Sequence, residues 1–327
     1  MKVNPKQYGK IIGSNLVVLL VVLAGMEVLL RWLQIPYRSD WTPMENAIAR
    51  FDPDLGWSYR PNLSTAVRLG QTDEPVSFDA HGVRVPAPGF EFDYTRPSIL
   101  LIGGSFTMGH GLAYEETLAG QITKHPDFPL QPVNLGVQAY GTDQSYLALQ
   151  RHFSRFKTKL VVYTFINNHV LRNGNYDRRM LYPQARFLGT KPLFTLDRQG
   201  EPVLQKKPRL YADYHHSWLW DAGRLLLQER FGLSQPYPLE LTHALIKAIQ
   251  KFCNENGAQF VVLHWRISPQ EPRETLRGSG AQIIDLLDRV PGLDKLKLPG
   301  DAHPDARANR AVADLLIRMV ANSNSGS

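Results

Sequence analysis

The sequence predicts an α/β domain built on a parallel sheet covered on both faces, carried on one N-terminal transmembrane helix. Two patterns lead there. Short continuous apolar runs alternate with helical patterns from residue 98 onward, and a twenty-residue apolar stretch lies near the start. A chain of 327 residues with 43% apolar and 10% aromatic content is long and apolar enough to build a sizeable core, which excludes a chain disordered throughout.

Residues 1–10, with Lys2, Lys6 and Lys10, read as a cytoplasmic basic segment, and residues 11–33 as the anchor. From Ile11 to Leu30 only Ser14, Asn15 and Glu27 interrupt the apolar run. Twenty helical residues rise about 30 Å, the thickness of the hydrocarbon core. Three lysines precede the span, and Arg31 and Arg38 follow it. By the positive-inside rule the rest of the chain then lies outside the cytoplasm, in the periplasm or at the cell surface. Arg31-Trp-Leu-Gln-Ile35 is no small-residue cleavage pattern, so an uncleaved anchor is expected. Glu27, near the outer end, is expected to snorkel to the interface.

Residues 34–96 are rich in Pro, Gly, Asp and aromatics without a sustained helical period, and read as a linker followed by edge hairpins. Phe51 to Trp57 and Phe78 to Arg84 look like strand–turn units. Residues 97–321 form the α/β domain, in which Ser98–Ile102, Val133–Val137, Lys159–Ile166 and Gln259–His264 read as buried parallel strands. Helical patterns at Thr142–Phe156 and Leu239–Asn256 separate them. A cap insertion over residues 173–232, rich in aromatics, includes a hairpin turning near Arg198 to Gly200. The tail 322–327 is expected to fray.

The net charge of +7 is unevenly spread: residues 151–210 hold thirteen Lys and Arg against Asp177, Asp197 and Glu201. This reads as a solvated basic face, and no nucleic-acid partner is expected. Cys253 is the only cysteine, which excludes an intrachain disulfide and a cysteine metal cluster; inside a helical pattern it reads as a small buried side chain. His215 and His216 are adjacent on a polar segment without supporting ligands, so no metal site is expected there. His169 and His264, at strand ends, are candidates to line a site.

Ligands of an open α/β sheet bind beyond the carboxyl ends of its strands. Four polar segments stand there: Gly103-Gly-Ser105-Phe-Thr-Met-Gly109-His-Gly111, Asn134-Leu-Gly136-Val-Gln-Ala-Tyr-Gly141-Thr-Asp-Gln144, Asn167-Asn168-His169, and Gly300-Asp301-Ala-His303-Pro304. Each alone is weak, since a serine after two glycines is more often a helix cap. Together they supply a nucleophile, a base, an orienter of the base and oxyanion donors. Thr107 stands where the nucleophile elbow of α/β-hydrolases has its last glycine, so that motif is excluded.

In these four blocks the sequence resembles the SGNH (GDSL-like) hydrolase superfamily, over roughly residues 50–320. The resemblance implies a three-layer α/β/α sandwich of flavodoxin-like type and hydrolysis of esters, commonly acetyl groups on carbohydrates, without metal or other cofactor. It implies Ser105 as nucleophile, His303 as base, Asp301 as the residue orienting His303, and the Ser105 amide, the Gly141 amide and the Asn168 side chain as oxyanion donors. Direct register from Asn134 would select the Ala139 amide instead of Gly141, and Asn167 competes with Asn168. Gly104 stands where the family usually has an aspartate, and the family's commonest spacing would put the acid at Gly300. The expected partners are an acylated carbohydrate or lipid ester and, through the anchor, a membrane. Two further functions fit the same blocks: O-acyl transfer to an exported polysaccharide, and glycan binding by a catalytically silent relative.

Overall fold

The computed structural model describes residues 5–37, 45–68, 73–182, 188–231 and 237–324. Helix α1 (Pro5–Leu33) is followed by α2 (Glu45–Ile48) and a two-stranded hairpin, β1 (Ala49–Asp52) with β2 (Gly56–Tyr59). Next come β3 (Ser64–Arg68), β4 (Asp73–Phe78), β5 (Arg84–Val85) and β6 (Pro97–Gly103). These lead to α3 (Ser105–Met108), α4 (Leu118–Thr123), β7 (Gln131–Asn134), α5 (Thr142–His152), β8 (Lys157–Phe165) and α6 (Asn168–Asn173). The cap segment holds the hairpin β9 (Leu193–Leu196) with β10 (Pro202–Lys206), and α7 (Trp218–Phe231). The chain ends in α8 (Leu239–Glu255), β11 (Gln259–His264), β12 (Gln282–Asp285), α9 (Leu286–Arg289) and α10 (Ala306–Asn324).

One eight-stranded sheet runs β12-β11-β8-β6-β7-β5-β4-β3. Its first five strands pair parallel, in the chain order 2-1-3-4-5 of flavodoxin-like sheets. Strands β5, β4 and β3 extend it antiparallel, so the sheet is mixed where a parallel one was expected. Successive side chains alternate between faces. Leu100 and Ile102 of β6 pack with Leu149 of α5 and with Ile246 and Ile249 of α8, while Ile99 and Leu101 pack with Leu118 and Ile122 of α4 and with Val312 and Leu316 of α10. This is the three-layer α/β/α arrangement, with two apolar cores separated by the sheet.

Gly9–Leu33 within α1 is 25 residues long, apolar, and unburied, long enough to cross a membrane. Of the basic segment, residues 1–4 lie outside the described residues, and Lys6 and Lys10 already belong to α1. Of the tail, residues 325–327 lie outside the described residues, while 322–324 continue α10. Cys253 is buried, as its helical position suggests.

The 34–96 region does more than link. Trp57 of β2 donates from Nε1 to Gln138 O (2.9 Å), Tyr59 Oη accepts from the Gln138 amide (3.0 Å), and Tyr140 Oη donates to Trp57 O (2.5 Å). The β1–β2 hairpin thus pins the loop that follows β7. On its other side this loop touches α3: a Cβ at Gly136 would collide with Met108 N and lie 2.7 Å from Thr107 C. Neither backbone atom can yield as a side-chain tip would. Gly136→Ala should therefore cost about 1–3 kcal/mol, read from denaturant unfolding, and should lower any activity that depends on Ser105.

Candidate active site

Strand β6 enters its turn through Gly103, whose φ of +148° disfavours a side chain; a Cβ there would also lie 2.9 Å from Thr164 O. Ser105 then opens α3. The segment after it is held from below by Arg84, fully buried, which donates to Met108 O (2.6 Å), Gly109 O (2.8 Å) and Leu112 O (2.6 Å). Burial pulls the Arg84 guanidinium down to about 10, against the opposing pull of Tyr59, Tyr114 and nearby glutamates. Backbone carbonyls take the place of water around this cation.

Ser105 Oγ lies 2.8 Å from His303 Nε2, and His303 Nδ1 lies 2.7 Å from Asp301 Oδ1. Asp301 Oδ1 also accepts from the His303 amide (3.1 Å). This side-chain-to-backbone turn is what lets an acid only two positions before the histidine reach its ring. Ser105, His303 and Asp301 are therefore brought together, and the one-residue spacer is no obstacle.

A second imidazole joins them. His110 Nε2 stands 3.5 Å from Asp301 Oδ2, its ring stacks on that of His303 with centroids 4.1 Å apart, and its Nδ1 is hydrogen-bonded by the Gln138 side-chain amide. The His110 and His303 imidazoles hold the Asp301 carboxyl well below the usual carboxylate range, against the effect of burial. Burial pushes the His303 imidazole below the ordinary histidine value, although its bond to Asp301 pulls the other way.

Two of the three expected oxyanion donors, the Gly141 amide and the Asn168 side chain, face other surroundings. The Gly141 amide faces Gln144 Oε1 (3.4 Å) at the start of α5. Asn168 is exposed, and Asn167 is engaged at both ends, donating to Glu271 Oε2 (3.0 Å) and accepting from His264 Nε2 (3.0 Å). Ala139 has φ +60°, rare for a residue with a Cβ. Beside Gly104 stand two groups that the sequence pattern did not single out together: a Cβ at Gly104 would be 3.2 Å from both Arg172 Nη1 and His169 Nε2. Arg172 Nη1 donates to Tyr140 O (3.0 Å), and His169 Nε2 is buried without a partner among the described residues. His264 does not reach Ser105 but fixes Asn167. His216 is packed against Asp221 (3.3 Å) instead of lying free on the surface, while His215 is exposed.

His110, His303 and Asp301 also offer three metal-ligand atoms within 4.8 Å of one another. A metal ion held there would compete with the hydrogen bonds that join Asp301, His303 and Ser105.

No protein-family model matches the chain, and no curated protein matches it in sequence. Solved structures resemble it distantly. The psychrotrophic esterase EstA from Pseudoalteromonas sp. is 11% identical with a TM-score of 0.41, covering 71% of this chain and 100% of its own. A catalytic mutant of Axe2, an acetylxylan esterase from Geobacillus stearothermophilus, is 12% identical with a TM-score of 0.38, covering 70% and 95%. AlinE4, an SGNH-hydrolase family esterase, is 14% identical with a TM-score of 0.36, covering 71% and 98%.

The geometry sets two expectations for an ester-hydrolysis assay. A base must be unprotonated to act, and a lowered pKa keeps it so to lower pH; the acidic limb of kcat/KM should fall below pH about 6.5, the ordinary histidine value. A limb centred above that value would contradict the buried His303 base. Chelation with EDTA should leave activity unchanged, whereas added Zn2+ should lower it reversibly.

Proposed function

We propose that the chain is a membrane-anchored serine esterase of SGNH type, which removes acyl groups, acetyl foremost, from a carbohydrate or lipid ester through an acyl-enzyme. The observation that carries this reading is the Ser105–His303–Asp301 hydrogen-bonded series at the carboxyl edge of the sheet. In this mechanism Ser105 Oγ attacks the ester carbonyl as its proton passes to His303 Nε2. Asp301 holds the imidazole through Nδ1 and stabilises its charged form. The leaving alcohol takes the proton from Nε2, and water, deprotonated by the same nitrogen, then cleaves the acyl-enzyme.

The oxyanion falls to the Ser105 amide, which as the first residue of α3 has no intrahelical acceptor, and to the loop after β7. In that loop the geometry favours the Ala139 amide over the engaged Gly141 amide. A trans peptide directs its C=O and N–H oppositely, and Gln138 O is held by Trp57, so the Ala139 N–H points away from the hairpin. With Asn168 exposed, Arg172 beside Gly104 is the better-placed side chain for the third donor. Helix α1 serves as the anchor in this reading, with the catalytic domain outside the cytoplasm.

Hydrolysis of p-nitrophenyl acetate tests the reading. Ser105→Ala and His303→Ala should each lower kcat/KM by about 10^4-fold or more, and a fluorophosphonate probe should label the parent at Ser105 alone. Undiminished turnover by a folded Ser105→Ala variant would sink the serine mechanism.

A further inference from the structure

Helix α7 has no buried residue, and four of its large apolar side chains stand in the open: Trp220 is 74% exposed, Phe231 69%, Leu226 63% and Leu227 46%. At 3.6 residues per turn, the seventh and eleventh positions after Trp220 return to within roughly 20° of it, so Trp220, Leu227 and Phe231 form one stripe. An aromatic and aliphatic stripe of this kind is unfavourable in water and suits the boundary between headgroups and acyl chains.

The start of α7 identifies what covers it. Glu27, inside the apolar span of α1, accepts hydrogen bonds from Ser217 Oγ (3.0 Å), Trp218 N (3.0 Å) and Leu219 N (2.9 Å). The two backbone amides are orphan donors of a helix N-terminus, capped by a carboxylate from another helix. Arg31, paired with Glu27, donates to His216 O (2.5 Å) and lies over the Trp218 ring at 5.5 Å. Glu27, expected to snorkel to the interface, has its carboxylate engaged by the start of α7. Glu27 lies six residues before the end of the span, about 9 Å along the helix, which is the depth at which interfacial helices sit. The N-terminus of α7 is therefore fixed against α1 at that depth, and its open stripe begins within the first turn, at Trp220.

The same junction leads to the catalytic loop. Tyr37, just past α1, donates to Asp221 of α7 (2.7 Å), and the Arg179 guanidinium lies 4.1 Å from the Tyr37 ring centroid. Its neighbour Arg178 donates to Ala139 O (2.6 Å). We propose that α7 is a second membrane element, lying in the bilayer interface beside the exit of α1, and that together they hold the catalytic cleft at the membrane to take esters presented on its surface. This rests on the reading of α1 as an anchor.

The test uses the full chain in a Cys253→Ala background, reconstituted in phosphatidylcholine vesicles with and without nitroxide-bearing lipid. A fluorophore is placed at Leu227→Cys, at Val21→Cys in α1, or at Gln199→Cys in the exposed β9–β10 turn, and thermal unfolding confirms that each variant is folded. Quenching at positions 227 and 21 but not at 199 is the expected result. Quenching at 21 alone overturns the assignment of α7, leaving its face to a protein partner if native membranes restore protection. No quenching at 21 overturns the anchor and α7 together. For the substrate class, the triple variant Trp220→Ser, Leu227→Ser, Phe231→Ser should turn over a lipid-borne ester about tenfold more slowly than the parent, with p-nitrophenyl acetate turnover unchanged. A parent active on p-nitrophenyl acetate alone, or an equal loss on both esters, overturns the surface substrate. A parent inactive on both esters refutes the esterase reading while leaving the quenching result to decide the place of α7.

Discussion

A hydrogen bond of 2.8 Å joins Ser105 to His303 across 198 residues of sequence, and each end is immobilised separately. On one side β6 lies in the middle of the sheet, Gly103 turns the chain, and Arg84 ties down the carbonyls that follow α3. On the other side Leu298 N donates to His303 O (2.9 Å), Lys297 and Pro304 form an isolated bridge, and Lys297 Nζ reaches Ile267 O (2.8 Å). Two loops fixed this way can hold the proposed nucleophile and base at reacting distance, where a displacement of 1 Å costs about 100-fold in rate.

Much of this arrangement was legible in the residues. A continuous apolar run can be read as a buried strand, and β6, β8 and β11 sit where such runs predicted, β6 entering its turn through Gly103. Strand β12 escaped notice because Gln282-Ile-Ile-Asp285 is too short to announce itself. Of the strands that extend the sheet antiparallel, β4 and β5 flank the Phe78–Arg84 turn that the sequence marked, whereas β3, Ser64-Thr-Ala-Val-Arg68, has a single buried apolar residue and was not marked. His110 was visible only as a residue between two glycines, because its significance depends on Asp301, far along the chain. Glu27 shows the same limit: a carboxylate in an apolar span has a local explanation, and the helix end it actually caps begins 191 residues later. For Asn168 the motif was present but the turn into α6 points it outward and commits its neighbour Asn167 to Glu271 and His264.

The loop that follows β7 is expensive to hold. Ala139 sits in a left-handed conformation, and around the loop lie Arg172, Arg178 and Lys191, all buried, with Asp143 paired to Lys191. Burial pulls Arg178 down to about 9, aided by Arg172, and Lys191 down to about 8 against the pull of Asp143. Burying cations with so few carboxylates is unfavourable unless their hydrogen bonds are needed. Arg178 and Arg172 spend theirs on the carbonyls of Ala139 and Tyr140, consecutive groups of the same loop. The charge thus fixes the direction of these peptide dipoles, as the proposed oxyanion role would require, since donors that must reorient during reaction lose most of their value.

The same logic accounts for the second imidazole. The Gln138 side-chain amide donates to His110 Nδ1, which, inferred from the network, leaves Nε2 carrying the hydrogen that faces Asp301 Oδ2. Asp301 then spends one oxygen on His303 and the other on His110, so it cannot rotate to serve either alone. Gln138 belongs to the loop that carries Ala139, and its own amide and carbonyl are held by Tyr59 and Trp57. In the proposed mechanism His303 is therefore connected through Asp301, His110 and Gln138 to the loop that carries Ala139. A shift in that loop, which the β1–β2 hairpin holds, would disturb the orientation of His303 together with the amides proposed as oxyanion donors.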